Sequence, residues 1–349
     1  MKYRYLGRSG LLVSRICLGT MTFGNKEWGC DLETSTAIVR AFVDGGGNFI
    51  DTADAYGGGE SERMVAAALA DFRREDFVIA TKGFFPTGAA VTARGLGRKH
   101  IVEACEASLR RLGTDYVDLY QFHGPDPFTP LEESLRAADD LIRAGKVRYL
   151  GVSNFYGWQI ARANGIAARD GLAPIVAAQH LYNLVRRDIE RDVLPACDAE
   201  GAGMICWSPL AAGMLSGKYK GEEKPPEGSR HAQQGRIVGE RFWFDEAKTI
   251  VDKVVEIAGR IGRTPSQVAL SWLFGDARIT AAIVGARRLE QLEENLLAGD
   301  FDLPPEVREE LSDAVPFRMG YPHEWVALNV PGALRKGELD PAHLQRMPM

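Results

Sequence analysis

The chain has 349 residues, 45% of them apolar and 26% charged, which is enough to bury a substantial core in one large α/β domain or two ordinary ones. Acidic groups outnumber basic ones 47 to 42, and a formal charge of -5 gives no attraction to a polyanion or an anionic lipid surface, so neither nucleic acid nor a membrane is an expected partner. The five cysteines lack redox or zinc spacing and the six histidines are scattered, which argues for reduced thiols and against a bound metal.

The N-terminal "MKYRYLGRSGLLVSRICLGT" spreads its charges through the segment and has no long apolar core. It reads neither as a signal peptide nor as a membrane span, and a cytoplasmic location is expected. Within it, "YRYLGRSGLLVSRI" predicts a small hairpin turned at Arg8 to Gly10. From there short apolar runs alternate with longer amphipathic ones. "RICLGTM" precedes a helix over 32 to 45, "NFIDTA" one over 60 to 72, "FVIATKG" one over 99 to 112, and "YVDLYQFH" one over 130 to 145. "VRYLGVS" precedes 156 to 170, "IVAAQHL" precedes 187 to 201, "GMICWSPL" precedes 246 to 261 with 265 to 275, and "ITAAIVGA" precedes 288 to 298.

Such alternation demands parallel strands with crossover helices, and eight repeats favour a closed (β/α)8 TIM barrel, its bottom closed by the hairpin, over an open sheet. No G-x-G-x-x-G follows the first strand, and the glycines at 57 to 59 lack a following Gly-Lys-Ser/Thr, so Rossmann and P-loop readings both fail. Residues 1–349 are read as one domain. Long loops at 84 to 98 and 211 to 245, with a tail over 316–349, are assigned to the carboxyl face, where barrels of this kind carry their sites.

"NFIDTADAYGGGESERM" ends a buried run in Asp51, Asp54 and Tyr56. Polar groups at the end of an inner strand are costly unless they serve backbone hydrogen bonding or chemistry. On the barrel, Asp51 and Tyr56 end the second strand, Lys82 the third and His123 the fourth, so all four ring one mouth. A phenol near pKa 10 is a weak acid at neutrality; an adjacent ammonium lowers that value, and a carboxylate behind the ammonium keeps it charged. A histidine at the same mouth can hydrogen-bond a carbonyl oxygen and stabilise the oxyanion formed on attack at its carbon. The set suits hydride addition to a carbonyl. Taken singly, each residue also has a bland reading: a turn cap for Asp51, packing for Tyr56, a solvated strand end for Lys82, a satisfied loop residue for His123.

The sequence resembles the aldo-keto reductase family over almost its whole length, through "GNFIDTADAYGGGESE", "IATKG", "SLRRLGTDYVDLYQFHGPD", "IRAGKVRYLGVSNF", "AAQHLYNLVRR", "CWSPLAAGMLSGKY" and "IVGARRLEQLEEN". The details resemble the branch of bacterial reductases and potassium-channel β subunits. The resemblance implies that Asp51, Tyr56, Lys82 and His123 form a catalytic tetrad with Tyr56 as general acid. It implies an NADP(H) cofactor, with Gly19, Thr20, Met21 and Asp51 against it, Ser153, Asn154 and Gln179 on the carboxamide, and Trp207 against the nicotinamide ring. Ser208, Leu210 and Lys218 would meet the pyrophosphate, and Ser229 and Arg230 would close over it.

"IVGARRLEQLEEN" joins a strand to a helix start, where unpaired amides and the helix dipole favour an anion, and Arg287 adds a forked cation, with Arg288 the adjacent alternative. The resemblance makes this a 2′-phosphate pocket, with Gly285 and Arg287 at the phosphate and Gln291, Glu294 and Asn295 around the adenine; the bland reading is an ordinary solvated helix start. Trp28, Phe84, Phe85 and Trp325 suggest an aromatic-walled cleft for a small-molecule carbonyl substrate. Channel β subunits lack a histidine at the position of His123, so His123 favours carbonyl reduction. Two rivals stay open: a regulatory subunit that senses redox state through bound NADP, and a barrel aldolase with Lys82 as Schiff base.

Overall fold

The computed structural model describes residues 1–222, 224–227, 230–233 and 235–334. The hairpin pairs β1 (Tyr3–Tyr5) antiparallel with β2 (Leu12–Ser14). Its turn is fixed against the barrel floor: the Arg8 amide donates to the Gly201 carbonyl at 2.8 Å, and Gly7, at φ +58, sits where a Cβ would lie 2.3 Å from that same oxygen. Only glycine fits there.

Eight parallel strands follow and close into a barrel: β3 (Ile16–Gly19), β4 (Phe49–Asp51), β5 (Val78–Gly83), β6 (Val117–Phe122), β7 (Val147–Ser153), β8 (Ile175–Leu181), β9 (Gly203–Trp207) and β10 (Ile279–Gly285), with β10 pairing both β9 and β3. The (β/α)8 architecture expected from the alternation is the one observed. Helices α1 (Leu32–Asp44), α2 (Glu60–Ala68), α3 (Arg98–Leu112), α4 (Leu131–Arg143), α5 (Gly157–Asp170) and α6 (Val193–Glu200) come between the strands. After β9 come α7 (Arg230–Gln233), α8 (Gly235–Phe242), α9 (Asp245–Ile261) and α10 (Pro265–Phe274), and after β10 come α11 (Leu289–Leu296) and α12 (Pro305–Ser312). Helix starts follow capping chemistry: Asp31 accepts from the Thr34 amide at 2.9 Å, and Thr264 and Gln267 form a capping box with Pro265 in the first turn.

The structure departs from the sequence reading at 187 to 201. Asp188–Arg191 is a tight 3₁₀ turn, Asp192 leaves helical geometry at φ -138, and α6 begins only at Val193. The Asp192 carboxylate accepts from the Gly157 amide at 2.9 Å, so a contact remote in sequence holds the chain out of the helix. The 211 to 245 loop is also less irregular than expected, since it contains α7 and α8.

The barrel interior explains how polar groups reach the mouth. Leu6 of the hairpin, Cys17, Phe49, Ala80, Leu119, Ala177, Ile205 and Ala281 form one fully buried apolar layer. Side chains alternate across a strand, so the residue two positions after an inward one points inward again. Asp51 follows Phe49, Lys82 follows Ala80, Gln121 follows Leu119 and Gln179 follows Ala177. A polar layer therefore sits on the apolar plug. Residues 1–315 make up one unit; residues 316–349 make up a second, described by itself, which contains α13 (His323–Leu334).

Candidate active site

Lys82 Nζ stands at the centre of the polar layer, fully buried. It donates to Asp51 Oδ1 at 2.5 Å, to the Thr52 carbonyl at 2.8 Å and to the Tyr56 hydroxyl at 3.2 Å. Asp51 is held on its other oxygen by Gln179 Nε2 at 2.7 Å and Gln121 Nε2 at 3.1 Å. The His123 ring meets the Tyr56 ring edge-on at 5.7 Å and Phe85 at 4.8 Å. The four residues expected to converge do converge.

Burial by itself would lower the Lys82 ammonium, but Asp51, Tyr56 and its hydrogen bonds to both push it up to about 12. It stays charged at any working pH. Burial together with the Lys82 charge drives His123 down to about 2, so its imidazole is neutral. Tyr56 differs from the expectation. Lys82 pulls its pKa down as anticipated, but taking a phenolate out of water outweighs that pull, with Asp51 and Asp54 adding to the rise, and the net direction is upward from 10.0.

A cavity of about 850 Å³ opens at this mouth. Asp51, Tyr56 and His123 line it, while Lys82 lies behind them. Trp28 and Phe85 form part of its wall; Phe84 packs edge-on against Phe85 at 5.3 Å rather than facing the cavity, and Trp325 belongs to the second unit. Gly19, Thr20 and Met21 also line it. Gly19 has a structural reason as well, since a Cβ there would lie 2.5 Å from Ile283 Cγ2. The Thr20 hydroxyl is engaged with Ser61 at 2.8 Å.

On one side of the cavity Ser153, Asn154 and Gln179 meet Trp207, whose indole N–H donates to Asn154 Oδ1 at 3.1 Å. Asn154 and Ser208 hold left-handed backbone at φ 61 and φ 51, a costly conformation for non-glycine residues that recurs at functional sites. Leu210, Lys218, Gly285, Arg287, Arg288, Gln291, Glu294 and Asn295 line the remainder. Helix α11 starts there with no side-chain cap, while the Arg287 amide donates to Gln291 Oε1 at 3.1 Å. Ser229 and the side chain of Arg230 lie outside the described residues. Paired donors and acceptors, a flat indole and cations beside an uncapped helix start fit the parts of a nicotinamide dinucleotide.

Three contributors were given no role by the sequence reading. Gln121 joins Gln179 in clamping Asp51, Asn183 Nδ2 donates to the Ser208 carbonyl at 2.8 Å, and Asp54 is buried close to Tyr56. Alternation along "DLYQFH" marks Gln121 as inward, two residues past Leu119; nothing local marks Asn183. Among the described residues no cluster of metal-ligating side chains occurs, and no helix is long and apolar enough to cross a membrane.

Comparison with known proteins agrees with this geometry. Over 325 residues the chain is 40% identical to a Schizosaccharomyces pombe protein provisionally named voltage-gated potassium channel subunit beta, an overlap of 90% of this chain and 93% of the relative. It is 36% identical over 326 residues to an uncharacterized oxidoreductase of Bacillus subtilis, covering 90% and 96% of the two chains. With the norsolorinic acid reductase of Aspergillus flavus it shares 33% identity over 336 residues, 92% of this chain and 82% of the other. The model of the aldo/keto reductase family matches residues 15–315, and this chain belongs to that family of nicotinamide-dependent oxidoreductases.

Proposed function

We propose that this chain is an NADPH-dependent reductase of aldehydes or ketones, with Tyr56 as the proton donor. The observation that carries the reading is the single ammonium of Lys82 bonded to both Asp51 and the Tyr56 hydroxyl, beside a neutral His123, at the mouth of the cavity. The bound nicotinamide supplies hydride. Ser153, Asn154, Gln179 and Trp207 would hold its ring end, and Lys218, Arg287 and the α11 start its phosphates.

The rest of the chemistry belongs to the side chains. Among the described residues His123 Nδ1 is buried without a hydrogen-bond partner, which favours the proton on Nε2, where it can donate to a carbonyl oxygen. Tyr56 gives its proton to that oxygen as negative charge builds there, and Lys82 stabilises the phenolate left behind. Asp51, clamped by two glutamines, keeps Lys82 protonated and in place. Phe85 and Trp28 supply apolar surface for the substrate body. A barrel over residues 1–315, acting in the cytoplasm on a small molecule, completes the reading, in place of the single domain over 1–349.

The similarity to a protein named as a channel subunit favours a second reading, an NADP-binding regulatory subunit with little turnover. NADPH oxidation against a panel of aldehydes and ketones separates the two. Turnover with at least one class is expected; tight cofactor binding with no turnover across the panel would favour the regulatory subunit.

A further inference from the structure

Asp54 belongs to the segment that supplies Asp51 and Tyr56, yet the chemistry above gives it no task. Its side chain is 2% exposed, and among the described residues neither carboxyl oxygen has a hydrogen-bond partner; the neighbouring Ala55 amide lies near enough to favour the ionised form without completing a hydrogen bond. The position is imposed by the backbone, because the Asp54 amide donates to the Lys82 carbonyl at 3.1 Å and so fastens this residue to β5. An unpartnered carboxyl in such a place is expensive unless it is protonated or used.

Its surroundings are charged on every side. Lys82 of β5, Glu62 of α2 and Arg111 of α3 act on it, and its own charge acts on Tyr56 of its segment, which Asp51 also reaches, and on the Tyr120 hydroxyl of β6, which Cys105 of α3 also reaches. Glu62 is itself fully buried, bonded by Arg111 at 2.5 Å and by the Thr81 hydroxyl at 2.6 Å. The buried ions thus form two complete pairs, Asp51 with Lys82 and Glu62 with Arg111. A neutral Asp54 leaves this set balanced, and an ionised Asp54 adds one uncompensated negative charge behind the phenol.

We propose that Asp54 is a positioning residue for the Tyr56 and Lys82 pair: protonated, it leaves the buried ion pairs balanced and Tyr56 at its most acidic, and ionised, it weakens Tyr56 as a proton donor. This inference rests on the reading of Tyr56 as that donor. The proton leaves Asp54 for bulk solvent and no other bond changes. Burial, followed by the Glu62 charge, raises the Asp54 carboxyl to about 7, so the two states exchange in the working range of pH. One added buried charge acts on the acid strength of Tyr56, and through it the rate should respond by about three- to tenfold.

The test is the pH profile of kcat for carbonyl reduction from pH 5.5 to 9, run on the wild type, Asp54→Asn, Asp54→Ser and Tyr56→Phe, together with the ¹³C carboxyl titration of Asp54 in the full-length wild type. The titration should centre near 7, and the wild-type kcat should fall about three- to tenfold through it. Both neutral variants should lose that limb, a change that a packing role for Asp54 would not produce. An Asp54 that remains ionised down to pH 5, or a limb retained in both variants, overturns the proposal. Unaltered turnover in Tyr56→Phe overturns the proton-donor reading and this inference with it, and that failure shows in a different variant.

Discussion

Asp54 also makes a prediction about stability that needs no substrate. An aspartate with an ordinary pKa of 3.8 in the unfolded chain and about 7 in the fold binds its proton more tightly when folded. Its contribution is therefore fully present below pH 3.8 and is lost as pH rises through 7, where the fold must hold a buried carboxylate. The difference between 3.8 and about 7 corresponds to about 4 kcal/mol, at 1.36 kcal/mol per pH unit. At 2% exposure there is little solvent to screen it. Asp54→Asn removes this titration but also changes packing by a fixed amount. The useful quantity is the stability of Asp54→Asn minus that of the wild type, measured by urea denaturation at several pH values, because the fixed amount cancels between them. That difference should move in favour of the variant by about 3 to 4 kcal/mol between pH 4 and pH 8, most of it below pH 7. A difference that is flat in pH would show that Asp54 does not titrate in this range and would refute the reasoning.

Arg287→Ala should lower kcat/KM for NADPH by about 10- to 100-fold, the loss of a charge-assisted contact, leave NADH use nearly unchanged, and do so less at high salt. The same loss in Arg288→Ala alone would assign the 2′-phosphate to the neighbouring guanidinium. Lys82→Met should cost about 3 to 5 kcal/mol of stability, since it leaves Asp51 a buried carboxylate without its cation. Adding Asp51→Asn should recover part of that loss, and chemical denaturation of both singles and the double checks the coupling.

The barrel was legible because each repeat carries its own local signal, an apolar run and then an amphipathic one. The convergence of Asp51, Tyr56, Lys82 and His123 was legible for a related reason: period-two alternation sends Asp51 and Lys82 inward, and parallel strands bring their ends to a common face. What escaped the sequence depends on contacts that no local pattern encodes. Asp192 breaks the helix expected from 187 because its carboxylate is claimed by Gly157, 35 residues away. Gln121 and Gln179 meet at Asp51 from two other strands. The direction of the Tyr56 shift was missed because an ammonium neighbour can be inferred from strand ends, whereas the degree of burial cannot. Asp54 stood in the same quoted segment as Asp51 and Tyr56, but only the fold shows that its buried carboxyl has no hydrogen-bond partner among the described residues.

The central claim is that Tyr56 delivers the proton when a carbonyl is reduced. It is tested most directly by single-turnover hydride transfer from bound NADPH to an aldehyde substrate, comparing the wild type with Tyr56→Phe after cofactor binding has been matched by fluorescence titration. Removing the phenol should slow the transfer by about 10²- to 10⁴-fold with cofactor affinity little changed. Equal rates in the two proteins would contradict the account.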